Sequence, residues 1–170
     1  MNKDIIFLTG FMGTGKSATG KELAKILERK FIDTDQLVEE MCGMDISDIF
    51  AKKGELSFRQ IERDVLTLIK GKGPCVVSTG GGMAAYGDNL EVMKKIGTVV
   101  SLTAKPEEIL RRVSSSGQVR PLLMCDDPLS KIISLLQKRA YYYINSHIMI
   151  STDGKEPIIV AVEIKDRLHL

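Results

Sequence analysis

A chain of 170 residues is the size of one ordinary domain. Its 24 Lys and Arg residues nearly balance its 22 Asp and Glu residues, and the net charge of +2 argues against a nucleic-acid or anionic-membrane binder. Hydrophobic residues make up 44% of the chain, which is enough to fill a globular core. We therefore predict a single domain over residues 1–170.

The cellular compartment is predicted from features that the sequence lacks. No apolar run has the length needed to cross a bilayer, and the four apolar residues Ile5–Leu8 are too few for a secretory signal. Cys42, Cys75 and Cys125 cannot all pair with one another and match no zinc-binding spacing. The sequence therefore predicts a cytoplasmic protein with reduced thiols and no membrane partner.

Short apolar runs alternate with amphipathic segments along the chain, which is typical of βαβ units around a parallel sheet. The predicted strands are Ile5–Thr9, Phe31–Asp33, Cys75–Thr79, Thr98–Leu102 and His147–Ile150. Helical spacing of apolar residues predicts helices over Lys16–Arg29, after Gly54, and after Asp127-Pro128, where Asp127 has the character of an N-cap. The polar stretch Ser114–Pro121 is either a mobile loop that closes over a ligand or a surface connection.

The segment Gly10–Ser17 carries the strongest chemical signal. It matches GxxxxGK[ST] between a predicted strand and a predicted helix, so its backbone N–H groups and the helix N-terminus can cradle phosphates. Lys16 can reach the β- and γ-phosphates, and the Ser17 hydroxyl can ligate Mg²⁺. The absence of an Asn-Lys-x-Asp sequence argues against a GTPase.

The second acidic position of many P-loop proteins is missing, because the third strand runs into Gly80–Gly82 instead of ending in Asp. Asp33 and Asp35, at the end of the second strand, are expected near the P-loop, since parallel strands present their carboxyl ends to one crevice. One carboxylate can serve the metal while the other faces an acceptor. The alternative is that one of them merely caps a helix that begins near Gln36.

Six motifs in this order resemble the shikimate kinase family, P-loop small-molecule kinases of the nucleoside-monophosphate-kinase-like type. They are Gly10–Ser17, Asp33-Thr34-Asp35, Phe58-Arg59-x-x-Glu62, Gly80-Gly81-Gly82, Val119-Arg120-Pro121-Leu122-Leu123 and Arg139-x-x-Tyr142. The resemblance implies an α/β three-layer P-loop fold with a five-stranded parallel sheet flanked by helices. It also implies a mobile lid at about 113–126, a substrate-binding helical segment at about 34–62 and a monomeric state.

The activity that the resemblance implies is transfer of the γ-phosphoryl group of ATP to the 3-hydroxyl of shikimate, a step of aromatic amino-acid biosynthesis. Arg59 and Arg139 would clamp the acceptor's carboxylate, with Glu62 holding Arg59. Asp35 would bind hydroxyls and is the candidate to accept the proton. N–H groups of the glycine run would bond substrate oxygens. The acceptor residues implied are Asp35, Arg59, Gly80, Gly81, Gly82 and Arg139.

The same resemblance assigns the nucleotide side of the site. Mg²⁺ would be held by Ser17 and the phosphates, with Asp33 acting through water. The catalytic residues would be Lys16, Asp35 and Arg120, the last brought onto the transferring phosphate by the lid. Near adenine, Arg111 and Arg112 compete for one role, for which we favour Arg112. The implied ATP-binding residues are Gly13, Thr14, Gly15, Lys16, Ser17, Ala18, Arg112, Arg120 and Lys155.

Three other functions compete with this interpretation. A gluconate kinase would share the P-loop but would not be expected to combine the Arg59 motif with Gly80–Gly82. A nucleoside-monophosphate kinase of the adenylate kinase type normally has Gly where this chain has Ser17. A non-catalytic nucleotide-binding module would be expected to have lost some of the charged residues that this chain retains.

Overall fold

The computed structural model describes residues 2–117 and 121–170. A five-stranded, all-parallel sheet forms its centre, in the order β2-β3-β1-β4-β5. The strands are β1 (Ile5–Gly10), β2 (Lys30–Asp33), β3 (Cys75–Ser78), β4 (Thr98–Thr103) and β5 (Ile148–Ser151). The five strands predicted from the sequence are confirmed, each within one residue at either end. Compact apolar runs predict them well because helices cover both faces of the sheet.

The flanking helices are α1 (Lys16–Ile26), α2 (Thr34–Cys42), α3 (Ile46–Lys70), α4 (Asn89–Ile96), α5 (Pro106–Ser115), α6 (Pro128–Ile144) and α7 (Pro157–Leu168). One face of the sheet packs against α2, α3 and α4 around buried Phe7 and Val77. The other face packs against α1 and α7 around buried Leu8 and Val100. The predicted three-layer architecture is thereby confirmed.

Three helix predictions are settled by local backbone geometry. The first helix ends at Ile26 rather than Arg29, and the chain turns at Glu28, which has a positive φ of 52°. Helix α3 contains the predicted segment after Gly54, and Gly54 itself has non-helical angles (φ 77°, ψ 172°) that divide α3 into two parts. Asp127 caps α6 as predicted, because its side chain accepts a hydrogen bond from the Ser130 N–H at 3.1 Å.

The range predicted to form a lid is described only in part. Residues 113–115 belong to the last turn of α5, and Pro121–Leu123 form a short 3-10 turn. Arg120 lies outside the described residues, so its assignment and the closing movement stay predictions. Within residues 2–117 and 121–170, no helix is long and apolar enough to span a membrane.

His147 extends the pairing between β4 and β5 by one residue. Its backbone N–H donates to the Val99 carbonyl at 3.0 Å, and its Nδ1 accepts from the Val99 N–H, also at 3.0 Å. An imidazole protonated at Nδ1 cannot accept this bond. Burial, together with the positive charge of Lys94, lowers the pKa of His147, whereas Glu91 opposes the shift.

We predict that stability falls on mild acidification through His147. The unfolded chain binds the proton more readily than the folded protein, so the group's contribution is complete above its usual pKa of about 6.5 and is lost as pH falls below that value. The lost hydrogen bond corresponds to about 1 kcal/mol. Urea unfolding between pH 7.5 and 5.5 should show this loss in the wild type and a smaller loss in His147→Ala. The variant His169→Asn, which changes the other histidine, should retain the wild-type dependence.

Candidate active site

The P-loop joins the buried strand β1 to helix α1 and is organised around one backbone carbonyl. The Phe11 carbonyl accepts hydrogen bonds from Lys16 Nζ at 2.9 Å and from Thr14 Oγ1 at 2.7 Å. Gly13 and Gly15 have positive φ angles of 77° and 84°, which glycine adopts without steric cost. Lys16 is thereby held at the N-terminus of α1, where N–H groups and the helix dipole favour an anion.

Ser17 and Asp33 form the pair that the sequence proposes as metal ligands. Ser17 Oγ donates to Asp33 Oδ2 at 2.8 Å and lies 3.1 Å from Ser78 Oγ at the end of β3. The other carboxylate oxygen, Asp33 Oδ1, accepts from the Asp35 N–H at 3.1 Å. Asp33 is therefore the N-cap, and α2 begins at Thr34 rather than near Gln36.

This donor set fits Mg²⁺ in chemistry, because a hydroxyl and a carboxylate are the hard oxygen ligands that the ion prefers. In the described part of the chain, no group of three or more His, Cys, Asp and Glu residues is arranged to hold a metal. Mg²⁺ bound with nucleotides commonly takes most of its ligands from phosphate oxygens and water, so two protein oxygens are a sufficient donor set.

Gly80, Gly81 and Gly82 follow β3, and side chains from other elements lie against them. A Cβ at Gly80 would lie 2.5 Å from Asp35 Oδ1, and a Cβ at Gly82 would lie 3.2 Å from an Arg59 guanidinium nitrogen. The expectation that the N–H groups of the run bond substrate stays a prediction, although the N–H of Gly80 has a partner within the protein. That N–H donates to the buried Thr34 Oγ1 at 2.9 Å. Gly80 makes room for the Asp35 carboxylate because it has no side chain.

Arg59 lies on the second part of α3 and is held by several neighbours. Its NH1 donates to Glu62 Oε2 at 2.7 Å, as the spacing of three residues predicts. Burial raises the pKa of Glu62, and the hydrogen bond from Arg59 opposes that shift. The guanidinium carbon lies 5.4 Å from the centre of the Phe58 ring and 5.3 Å from that of Tyr86. These contacts fix the plane of the guanidinium group.

Arg139 reaches the same glycine run from α6. Its NH1 donates to the Gly81 carbonyl at 3.0 Å, and Tyr143 Oη donates to the same oxygen at 3.3 Å. The Arg139 guanidinium also lies 5.5 Å from the centre of the buried Phe11 ring in the P-loop. Arg139 thus contacts Gly81, and Arg59 lies in the space that a side chain at Gly82 would enter, which places two cations at one side of the P-loop.

A cleft of about 440 Å³ lies on the other side of the P-loop. Arg112, which lines it, donates to the Gly13 carbonyl at 3.2 Å and to Thr152 Oγ1 at 2.9 Å. Arg111 is mostly exposed and pairs with Glu108, whose pKa the hydrogen bonds from Arg111 and Arg112 lower to about 2. Lys155 also lines the cleft and pairs with Glu163 at 2.7 Å. Both arginines line the cleft and pair with Glu108, and Arg112 is the less exposed of the two, so the choice of Arg112 for the nucleotide stays a prediction.

Comparison with known proteins decides the family. The family model described as "Shikimate kinase" matches residues 12–169, which is nearly the whole chain. The chain belongs to the shikimate kinase family. It is 42% identical over 163 residues to the shikimate kinase of Thermus thermophilus, covering 96% of this chain and 89% of that protein. Its identity with the Sulfurihydrogenibium shikimate kinase is 44%, covering 96% of both.

Solved structures agree with this assignment. The shikimate kinase of Acinetobacter baumannii in complex with shikimate has a TM-score of 0.90 and 35% identity, covering 97% of this chain and 92% of that one. The shikimate kinase of Aquifex aeolicus has a TM-score of 0.82 and 36% identity, covering 97% and 96%. A gluconokinase of Sinorhizobium meliloti reaches a TM-score of 0.57 at 14% identity, with coverage of 99% and 95%, a likeness of fold alone.

Several contacts in this shikimate kinase family member were not predicted from its sequence. Ser78, Thr34, Tyr143 and Thr152 each hold a predicted site residue through a hydrogen bond. Ser78 could have been found, since it lies at the end of the strand next to the P-loop strand. The structure says less about two of the predicted site residues. The side chain of Ala18 is exposed in the first turn of α1, and Arg120 lies outside the described residues.

We predict that Gly80→Ala lowers kinase turnover by about 100-fold while the protein stays folded. The new methyl group would displace the Asp35 carboxylate, and a shift of about 1 Å in a positioned group can cost this much. Gly71→Ala is the matched control, because its Cβ would meet Leu68 O at an ordinary 3.7 Å. Steady-state turnover and thermal unfolding of both variants check the prediction. Wild-type turnover in Gly80→Ala would contradict it.

Proposed function

We propose that this chain transfers the γ-phosphoryl group of ATP to the 3-hydroxyl of shikimate, giving shikimate 3-phosphate and ADP. The observation that carries the proposal is the placement of Arg59 and Arg139 against consecutive glycines beside the P-loop. A pair of guanidinium groups suits a carboxylate, which accepts parallel hydrogen bonds from such planar donors. Membership of the shikimate kinase family supports the same acceptor.

On the nucleotide side, the P-loop residues Gly13–Ala18 would bind the phosphates through their N–H groups and Lys16. Ser17 and Asp33 would hold Mg²⁺, which supplies positive charge against the β- and γ-phosphate oxygens when bound. Arg112 and Lys155 line the cleft in which we place the nucleoside. Phosphoryl transfer requires mainly positioning and charge neutralisation, and Lys16 lies where it can provide both.

On the acceptor side, Arg59 and Arg139 would fix the carboxylate and thereby the orientation of the ring. The Asp35 carboxylate lies against Gly80, and its backbone N–H donates to Asp33 of the metal pair, so Asp35 would accept a hydrogen bond from the reacting hydroxyl. Its carboxylate would orient that oxygen for in-line attack and is the group to receive its proton. Glu62 would keep Arg59 in place from its buried position.

The remaining assignments rest on the sequence. We propose that Arg120 contacts the transferring phosphoryl group when the segment at about 113–126 closes as a lid, which would limit hydrolysis of ATP by water. We also propose that residues 1–170 act as one domain and as a monomer in the cytoplasm, with residues 34–62 forming the part that receives shikimate.

Release of ADP from MgATP tests the proposal when shikimate, gluconate and AMP are compared as acceptors. We expect shikimate to support turnover at least 100-fold above the other two, because a buried charged site rejects ligands that leave it unpaired. The observed rate without any acceptor provides the background of ATP hydrolysis. Equal turnover with gluconate and shikimate would overturn the acceptor assignment, and no turnover with any acceptor would overturn the enzymatic one.

A further inference from the structure

Arg59 contacts two carboxylates, and they bind different edges of its guanidinium group. NH1 donates to Glu62 Oε2 at 2.7 Å. Nε and NH2 donate to Glu55 Oε1 at 3.4 and 3.1 Å. The edge formed by Nε and NH2 is a two-donor fork of the kind that binds a carboxylate through two parallel hydrogen bonds. In this structure a single oxygen of Glu55 occupies that fork.

The two carboxylates differ sharply in how firmly they are held. The Glu62 side chain is 2% exposed, whereas that of Glu55 is 63% exposed. Removing one partner of a buried pair leaves an uncompensated charge and is strongly destabilising, whereas an exposed pair contributes little. Glu62 is therefore a permanent partner of Arg59, and Glu55 is one that can be exchanged at small cost.

The balance of charge at the acceptor side also favours exchange. Arg59 and Arg139 carry two positive charges, against three negative charges on Asp35, Glu55 and Glu62. A bound carboxylate acceptor would raise the negative total to four if Glu55 stayed in place. Movement of Glu55 into solvent would lower the negative total to three again. Glu55 directly follows the non-helical Gly54, so it lies at a break in α3.

We propose that Glu55 competes with the acceptor's carboxylate for Arg59. Glu55 occupies the Nε/NH2 fork of Arg59 until the acceptor displaces it. This inference rests on the proposed function, in which Arg59 binds that carboxylate. Glu55 would set specificity as well as affinity. An acceptor with a carboxylate replaces the contact it removes, whereas a neutral polyol of similar size leaves Arg59 paired with Glu55 and gains nothing there.

Glu55→Gln tests the inference, because it keeps the shape of the side chain and removes its charge. Calorimetric titration with shikimate, without nucleotide, should show about two- to fivefold tighter binding than in the wild type, in line with an exposed ion pair. The KM for shikimate should fall by a similar factor, and the KM for ATP should not change. The control Asp64→Asn removes a charge from an exposed residue of the same helix and should bind shikimate as the wild type does.

Two further variants separate the possible failures. Glu62→Gln should weaken shikimate binding, because it releases Arg59 from its buried partner, so the two glutamate variants shift affinity in opposite directions. Arg59→Ala should weaken it more strongly. One failure would overturn the inference about Glu55 and leave the proposed function intact. In that case Arg59→Ala binds shikimate more weakly than the wild type, but Glu55→Gln binds it equally or more weakly. Wild-type affinity in Arg59→Ala, or no binding by the wild type, would overturn the acceptor assignment and the inference with it.

Discussion

The close approach of side chains to the backbone after β3 is the constraint on which the rest of the site depends. Asp35 from α2, Arg59 from α3 and Arg139 from α6 all lie against Gly80–Gly82. A side chain at Gly80 would overlap the Asp35 carboxylate. Three separate helices can therefore place polar groups at one point beside the P-loop, because the chain there presents backbone alone.

Phe11 connects the residues around Gly80–Gly82 to the phosphate-binding loop. Its carbonyl accepts the hydrogen bond of Lys16, and its buried ring lies under Arg139. One P-loop residue thus contacts the cation proposed for the transferred phosphate and a cation proposed for the acceptor. The fixed geometry of the sheet end sets the distance between the two halves of the site, which is what phosphoryl transfer between bound partners requires.

The fold could be predicted from sequence wherever the signal is local. Buried strands are compact apolar runs, and the P-loop is defined by the spacing of Gly10, Gly15 and Lys16. The rule that parallel strands present their carboxyl ends to one crevice also predicts Asp33 beside Ser17, and the two side chains are joined by a hydrogen bond of 2.8 Å.

The rest depends on tertiary contacts that no spacing rule contains. Two hydrogen bonds join elements far apart in the chain: the Gly80 N–H donates to Thr34, and Arg112 donates to Thr152. The end of α1 at Ile26 follows from the turn at Glu28, although the helical pattern continues to Arg29. Glu55 has the spacing of an ordinary helical ion pair with Arg59, and its place in the binding fork appears only in three dimensions.

A crystal structure with shikimate and a non-hydrolysable ATP analogue tests the central claim most directly, namely that one crevice binds a triphosphate and a ring carboxylate from opposite sides. The account predicts the carboxylate between Arg59 and Arg139, the triphosphate on the P-loop, and Asp35 within hydrogen-bond distance of the hydroxyl that faces the γ-phosphate. A carboxylate bound elsewhere, with both guanidinium groups still contacting protein alone, would contradict it.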